Sequence, residues 1–364
     1  MGEERPARFP QRTPERRATQ GRDPKNHVSG LGRREAIALL ASLAAWPFAA
    51  PADATEHKKR VGVLISIAES DEEGHTRLSA FQDSLRKLGW SSGRNLDLEV
   101  RWGGGDADRI QRAAAELAAL NLDAMLASGT SVVRALQAET RGIPIVFVQV
   151  ADPVGAGMVA SMEHPGGNIT GFANINDAIG GKWLQLLKEA APRLTRVVII
   201  RNPVAASAVR MLHAIEALAP TLGVDLNPVS AVEPADIKLV TKKFARQPNV
   251  GLIVLPDAIV TVNRDLIISL AAQYQLPAIY PYRFFATSGG LMSYGVDTVD
   301  EYRRAAGYVH RILRGEPPAK LPVQEPSKFD LVINLAAARA LGLAIAPTLL
   351  ARASEVLEYS AAER

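Results

Sequence analysis

From Arg60 onward the chain alternates short apolar runs with stretches whose apolar residues recur every three or four positions. Val61 to Ile65 has the length of a buried strand, and Leu78, Phe81, Leu85 and Leu88 follow at helical spacing before Gly89. Leu96 to Trp102 alternates as a strand, Asp106 can cap a helix from Ala107 to Leu120, and Ala124 to Ala127 is a third strand. Ser131 to Glu139 predicts the next helix. A fourth strand runs from Ile143 to Val150, with Pro144 at its entry.

After a Gly- and Pro-rich connector from Pro153 to Gly171 the alternation restarts. Helices over Gly181–Ala190, Ala205–Leu222, Ile237–Ala245 and Val262–Tyr274 interleave with strands at Val197–Ile200, Asp225–Val229, Gly251–Leu255 and Ala278–Tyr280. Apolar strands joined by helices predict an α/β fold with parallel, doubly wound sheets, and two such runs predict two Rossmann-like lobes. Four further elements remain: Gly290–Tyr294, Val299–Leu313, Phe329–Asn334 and Leu335–Leu341. Too few for a third domain, they are expected to return and complete both lobes, so that the chain crosses a multi-stranded hinge. The expected boundaries are 58–172 plus about 295–322 for lobe 1, 173–294 plus about 323–345 for lobe 2, and a C-terminal tail over 346–364.

The segment ahead of the lobes has a different grammar. Gly32-Arg33-Arg34-Glu35 precedes an apolar run from Ala36 to Ala50 and then Ala52-Asp53-Ala54. Paired arginines, a short apolar segment and a small-x-small end have the form of an export signal of the twin-arginine type, cleaved near Ala54. A membrane-spanning helix needs about 20 apolar residues, whereas this run is shorter and interrupted by Pro47. Residues 1–30, rich in Arg and Pro, read either as a disordered basic arm for nucleic acid or as a long signal n-region behind an early start. The apolar run favours the second reading.

Composition moves the same way. Residues 1–54 hold nine Lys or Arg and six Asp or Glu out of the chain's 42 and 38, so the remainder is nearly neutral. A basic excess confined to a removable segment leaves no field to hold a polyanion, and a nucleic-acid partner is not expected. The chain has no cysteine, which excludes disulfides, thiolate metal sites and a lipid-modified cysteine anchor. A monomer diffusing in the periplasm is the expected state.

Several motifs occur together in order: Leu126-Ala-Ser-Gly-Thr130, Pro144-Ile-Val-Phe147, Ala151-Asp-Pro-Val154, His164-Pro-Gly-Gly-Asn-Ile-Thr-Gly171, Tyr294-Gly-Val-Asp297 and Ile312-Leu-Arg-Gly-Glu316. Across nearly all of 58–345 the chain resembles the substrate-binding proteins of ABC importers, in the branch typified by tryptophan- and tyrosine-binding members. The resemblance implies a type I periplasmic binding protein: two Rossmann-like lobes joined by three strands, closing on a small solute and docking on membrane permease subunits. It leaves the solute open.

In doubly wound sheets, ligands gather beyond the carboxyl ends of the strands. Ser128, Gly129 and Thr130 end a strand and open a helix, where hydroxyls and free N–H groups suit an anion, although Ser and Thr there also serve as caps. Asp152 and Asp257 follow strands and could take an ammonium group, or cap turns beside Pro153 and Pro256. Asn174 and Asn176 stand at the entry to the second lobe and Asn202 after its first strand; amides there can fix a polar ligand or shape turns. Tyr280, Tyr282 and Phe284 could form an aromatic wall or belong to the core. Asp297 falls in the returning hinge, where it binds ligand or holds a strand. These poles favour an amino acid or an aromatic or branched acid.

The rival classes are an oxidoreductase and the ligand-sensing module of a regulator. Gly155-Ala-Gly157-Met-Val-Ala160 reads as a dinucleotide fingerprint with Asp177 beyond it, but it follows the fourth strand and is cut off by His164-Pro165. The histidines are scattered, and neither a nucleophile elbow nor a Walker loop occurs, so no catalytic residue, metal or cofactor is expected. A regulator would need a helix-turn-helix, which the chain lacks.

Overall fold

The computed structural model describes residues 58–174, 178–244, 247–326 and 328–358. The segment read as an export signal, 1–54, and Asn176 lie outside them.

The first sheet is built from β1 (Lys59–Ile65), β2 (Leu96–Trp102), β3 (Ala124–Ser128), β4 (Ile145–Val150) and β5 (Ile169–Ala173), in spatial order β2-β1-β3-β4-β5. Every pairing is parallel. Between them run α1 (Glu72–Lys87), α2 (Ala107–Ala118) and α3 (Thr130–Glu139). Because side chains alternate across a strand, Val61, Val63 and Ile65 pack under α1 while Leu64, Met125 and Phe147 pack under α2 and α3. The sheet is covered on both faces.

The second lobe follows the same plan with α4 (Ile179–Ala190), β6 (Arg196–Arg201), α5 (Ala206–Leu222), β7 (Asp225–Ser230), α6 (Pro234–Phe244) and β8 (Val250–Val254). Next come α7 (Ala258–Val262), α8 (Arg264–Gln273), β9 (Ala278–Tyr280), α9 (Arg283–Thr287) and β10 (Met292–Gly295). The helix expected over Val262–Tyr274 is α8, and a further short helix, α7, precedes it across Asn263. Val197 and Ile199 pack towards α4 and α5, Val198 and Ile200 towards α6 and α8.

The remaining chain is α10 (Thr298–Leu313), β11 (Asp330–Asn334), α11 (Leu335–Ala340), α12 (Pro347–Leu350) and β12 (Glu355–Leu357). Helix α10 returns to the first lobe, where Tyr302, Ala305, Ala306 and Val309 share a core with Leu78, Phe81 and Leu85 of α1. Strand β11 pairs antiparallel with β10, and β12 adds a parallel edge, giving the order β12-β11-β10-β9-β8-β6-β7. The segment read as a tail from residue 346 thus supplies this sheet with an edge strand.

The chain passes between the sheets three times: after β5, between Gly295 and Thr298, and between Gln324 and β11. The first and third passages are tied together where Phe172 bridges Gln324, Ala173 N–H donates to Gln324 O at 2.9 Å and Gln324 N–H donates to Gly171 O at 2.9 Å. Two Rossmann-like lobes, linked by three passages of the chain, are the architecture of this α/β protein.

Candidate functional site

The carboxyl ends of both sheets face one cleft of about 510 Å³. This is within the usual volume of a small-molecule site. Ser66 and Ile67 follow β1, Gly129 and Thr130 follow β3, Gln149 stands near the end of β4 with Asp152 just past it, and Asn174 follows β5. From the second lobe come Asn202 after β6, Asp257 after β8 and Tyr282 after β9.

Helix α3 begins without a side-chain cap: its N-cap is Gly129 at φ +100°, a conformation that suits glycine, so the first N–H groups of the helix stay open towards the cleft. Ser128, expected beside them, does not line the cleft. It is fully buried and donates through Oγ to Gln149 Oε1 at 3.1 Å.

Asn174 is 1% exposed, donates Nδ2 to the Tyr282 hydroxyl at 3.1 Å, and leaves Oδ1 without a partner among the described residues. Burial, above all, pushes the Tyr282 phenol up from its ordinary range, so it stays protonated. Asn202 Nδ2 donates to Asp257 Oδ2 at 3.0 Å, and Asp257 Oδ1 accepts from Ile259 N–H at 3.0 Å as the N-cap of α7. Asp152 is engaged on both sides: Oδ1 accepts from Gly155 N–H at 2.8 Å and Oδ2 from Arg210 of the facing lobe.

Besides Ser128, two expected residues fall elsewhere. Tyr280 is 1% exposed and stacks on Phe285 at 4.9 Å, within the core between the second sheet and α8. The strand's alternation turns it inward, so the aromatic wall reduces to Tyr282, with Phe284 stacked behind it at 5.4 Å. Asp297 caps α10, accepting from Val299 and Asp300 N–H at 2.9 and 3.0 Å, and does not reach the cleft. The Gly155–Ala160 loop is a series of turns folded over Asp152 that opens no helix, so the dinucleotide fingerprint lacks the helix N-terminus it needs.

Sequence reasoning missed Gln149 and Arg77. Arg77, on α1 and 1% exposed, donates Nε to Glu73 Oε1 at 2.9 Å and Nη1 to Gln149 Oε1 at 3.1 Å, and its guanidinium lies 5.3 Å from the Phe284 ring centre. Close to it lies the buried Glu301 of α10, whose carboxyl oxygens have no hydrogen bond of full geometry among the described residues, although the Gln149 N–H lies near enough to draw its pKa down. Burial pushes the Glu301 carboxyl up to about 8, against a smaller downward pull from Arg77. Tyr302 is pushed up to about 12 by the same cause. No group of His, Asp and Glu suited to a metal occurs among the described residues, and no helix there is long and apolar enough to cross a membrane.

The profile described as ABC transporter substrate binding protein matches residues 61–357. A tyrosine-binding protein of Clostridioides difficile is 22% identical over 289 residues, 79% of this chain and 83% of that one. The crystal structure of a conserved domain protein from Vibrio cholerae superposes with a TM-score of 0.76 at 29% identity, covering 82% of this chain and 99% of the other. An ABC domain from Streptococcus pneumoniae in complex with L-Trp gives 0.76 at 21% identity, over 82% and 100%. The family match spans both lobes: this chain belongs to the ABC transporter substrate-binding protein family.

Proposed function

We propose that this chain is the solute-capturing component of an ABC importer, which closes its lobes on a small molecule in the periplasm and passes it to a membrane permease. The observation that carries the reading is the cleft itself, lined by Asn174, whose buried Oδ1 has no partner among the described residues, and by the open N-terminus of α3 together with Asn202, Asp257 and Tyr282. A buried polar atom left unpaired costs about 1–3 kcal/mol, which a bound solute recovers. The affinity difference between open and closed forms then drives closure. No bond is made or broken, and the chain acts as a monomer without nucleic acid.

The favoured solute is an amino acid or a related aromatic or branched acid. Donors at α3 suit a carboxylate, Asp257 and Asn174 suit an ammonium group, and Tyr282 offers an aromatic face. The tyrosine-binding relative and the L-Trp complex support this class. Asn176, two residues past Asn174 in sequence, stays in the proposed site; Ser128 supports it from behind, while Tyr280 and Asp297 serve the core and a helix cap.

A thermal-shift screen of amino acids, aromatic acids, sugars and nucleosides tests the assignment. Ligand at 100 times its Kd stabilises the folded chain by about 2.7 kcal/mol. Amino acids should raise the melting temperature; a rise with sugars alone removes the amino-acid reading.

A further inference from the structure

Gln149 is marked by its backbone. It stands at the end of β4 with φ +58°, in the left-handed region that few residues other than glycine enter, and the register between β4 and β5 slips between Phe147 and Val150. Strain and bulges of this kind collect where a side chain is aimed at a ligand. This one lines the cleft.

Its amide is fixed from behind. Oε1 accepts from Arg77 Nη1 and from Ser128 Oγ, both at 3.1 Å, and both donors are buried. A guanidinium only donates, so the amide cannot turn over without setting two N–H groups against each other. The amino group Nε2 is therefore left to the cleft, with no hydrogen-bond partner among the described residues. Gly129 is its neighbour, because Gly129 N–H donates to Val148 O at 3.0 Å. Gln149 and the uncapped start of α3 thus bring donors to one cleft, which is also lined by Asn174, whose buried Oδ1 is an acceptor without a partner among the described residues.

Resting on the solute-binding reading above, we propose that Gln149 reads the ligand's carboxylate, completing a donor-only subsite with the first N–H groups of α3, while Asn174 Oδ1 takes the ammonium group. Arg77 is a positioning residue that sets the amide and lends positive charge from behind. The ligand class is a zwitterionic α-amino acid, selected over the amine or the acid that carries only one of the two groups.

Calorimetry on the wild type, Gln149→Glu and Gln149→Asn tests this, with L-tyrosine and L-tryptophan as zwitterions and tyramine and tryptamine as amines. Gln149→Glu replaces the donor by a charged acceptor. Gln149→Asn keeps an amide at a residue type more at ease in the left-handed region, but withdraws it by one methylene. Each should weaken the bound amino acid by about 10- to 100-fold while changing amine binding little. Arg77→Lys should lower the ratio of amino-acid to amine affinity, whereas a merely structural role lowers both together. Unchanged amino-acid affinity in both Gln149 variants, or equal losses for acid and amine, overturns the subsite and leaves the solute-binding reading standing. A wild type that binds neither amino acid overturns the amino-acid reading and the subsite with it.

Discussion

Arg264 of the second lobe grips Asp71 of the first with both guanidinium ends, Nη1 to Oδ2 at 2.6 Å and Nη2 to Oδ1 at 3.2 Å. The two side chains are 18% and 9% exposed, so this pair is better shielded than a surface salt bridge. Asp71 also caps α1 by accepting from Glu73 N–H at 3.1 Å. A clasp that joins the lobes is present only when they are together.

Breaking it should therefore act on affinity more than on folding. Asp71→Asn retains a capping side chain and is expected to weaken ligand binding about 3- to 10-fold, an effect that shrinks as salt is raised. Asp71→Ala should in addition lose about 1 kcal/mol of stability with the cap. Titration calorimetry at two salt concentrations checks the first, urea unfolding the second.

Glu301 makes stability depend on pH. Its carboxyl titrates near 4.5 when exposed and is pushed up to about 8 in the fold, so between these values the folded chain binds the extra proton. Stability from this group is present below about 4.5 and lost as pH rises towards about 8. Glu301→Gln should flatten that decline and raise the melting temperature most at the alkaline end. A wild-type profile that climbs through this window, unaltered in the variant, contradicts the assignment.

Thr130→Ala and Asp257→Ala should each weaken binding by about 1–3 kcal/mol where they pair with charged ligand groups. Asp257→Ala also removes the cap of α7 and the partner of Asn202, so its unfolding midpoint should fall where that of Thr130→Ala does not. Unchanged affinity in both variants removes these residues from the site.

Gly171 tests the passage between lobes. A Cβ there would lie 2.1 Å from Phe147 O, on the neighbouring strand. Gly171→Ala should cost at least about 2 kcal/mol, read from denaturant unfolding, because backbone rather than a pliable side chain must move.

For the proposed export, replacing Arg33 and Arg34 by lysines should leave the chain in the cytoplasm. Mass spectrometry of the exported wild type should find its new N-terminus just after Ala54.

The lobes were legible because buried parallel strands read as unbroken apolar runs, and their spacing fixed which loops meet. Strand β5 was hidden inside the connector, since Gly171 and Thr170 break its apolar run and only the pairing with β4 makes it a strand. Asp297, followed by Asp300 and Glu301, carried a helix-start signature that outweighs a ligand role. Tyr280 was misplaced because the last residue of a strand still obeys its alternation, whereas Tyr282 has left it. Gln149 had no signal at all. A slipped register and a left-handed glutamine arise from how two strands meet, which no local pattern encodes.

The return of α10 to the first lobe bears on how the protein is made. Five of the seven strands of the second sheet, β6 to β10, emerge from the ribosome before the helix that shields the apolar surface of α1 and its neighbouring strands, so the earlier half waits unfinished and sticky. A fragment cut after the first five strands should clump rather than fold, and helpers that hold nascent chains have most to do with this protein in that interval.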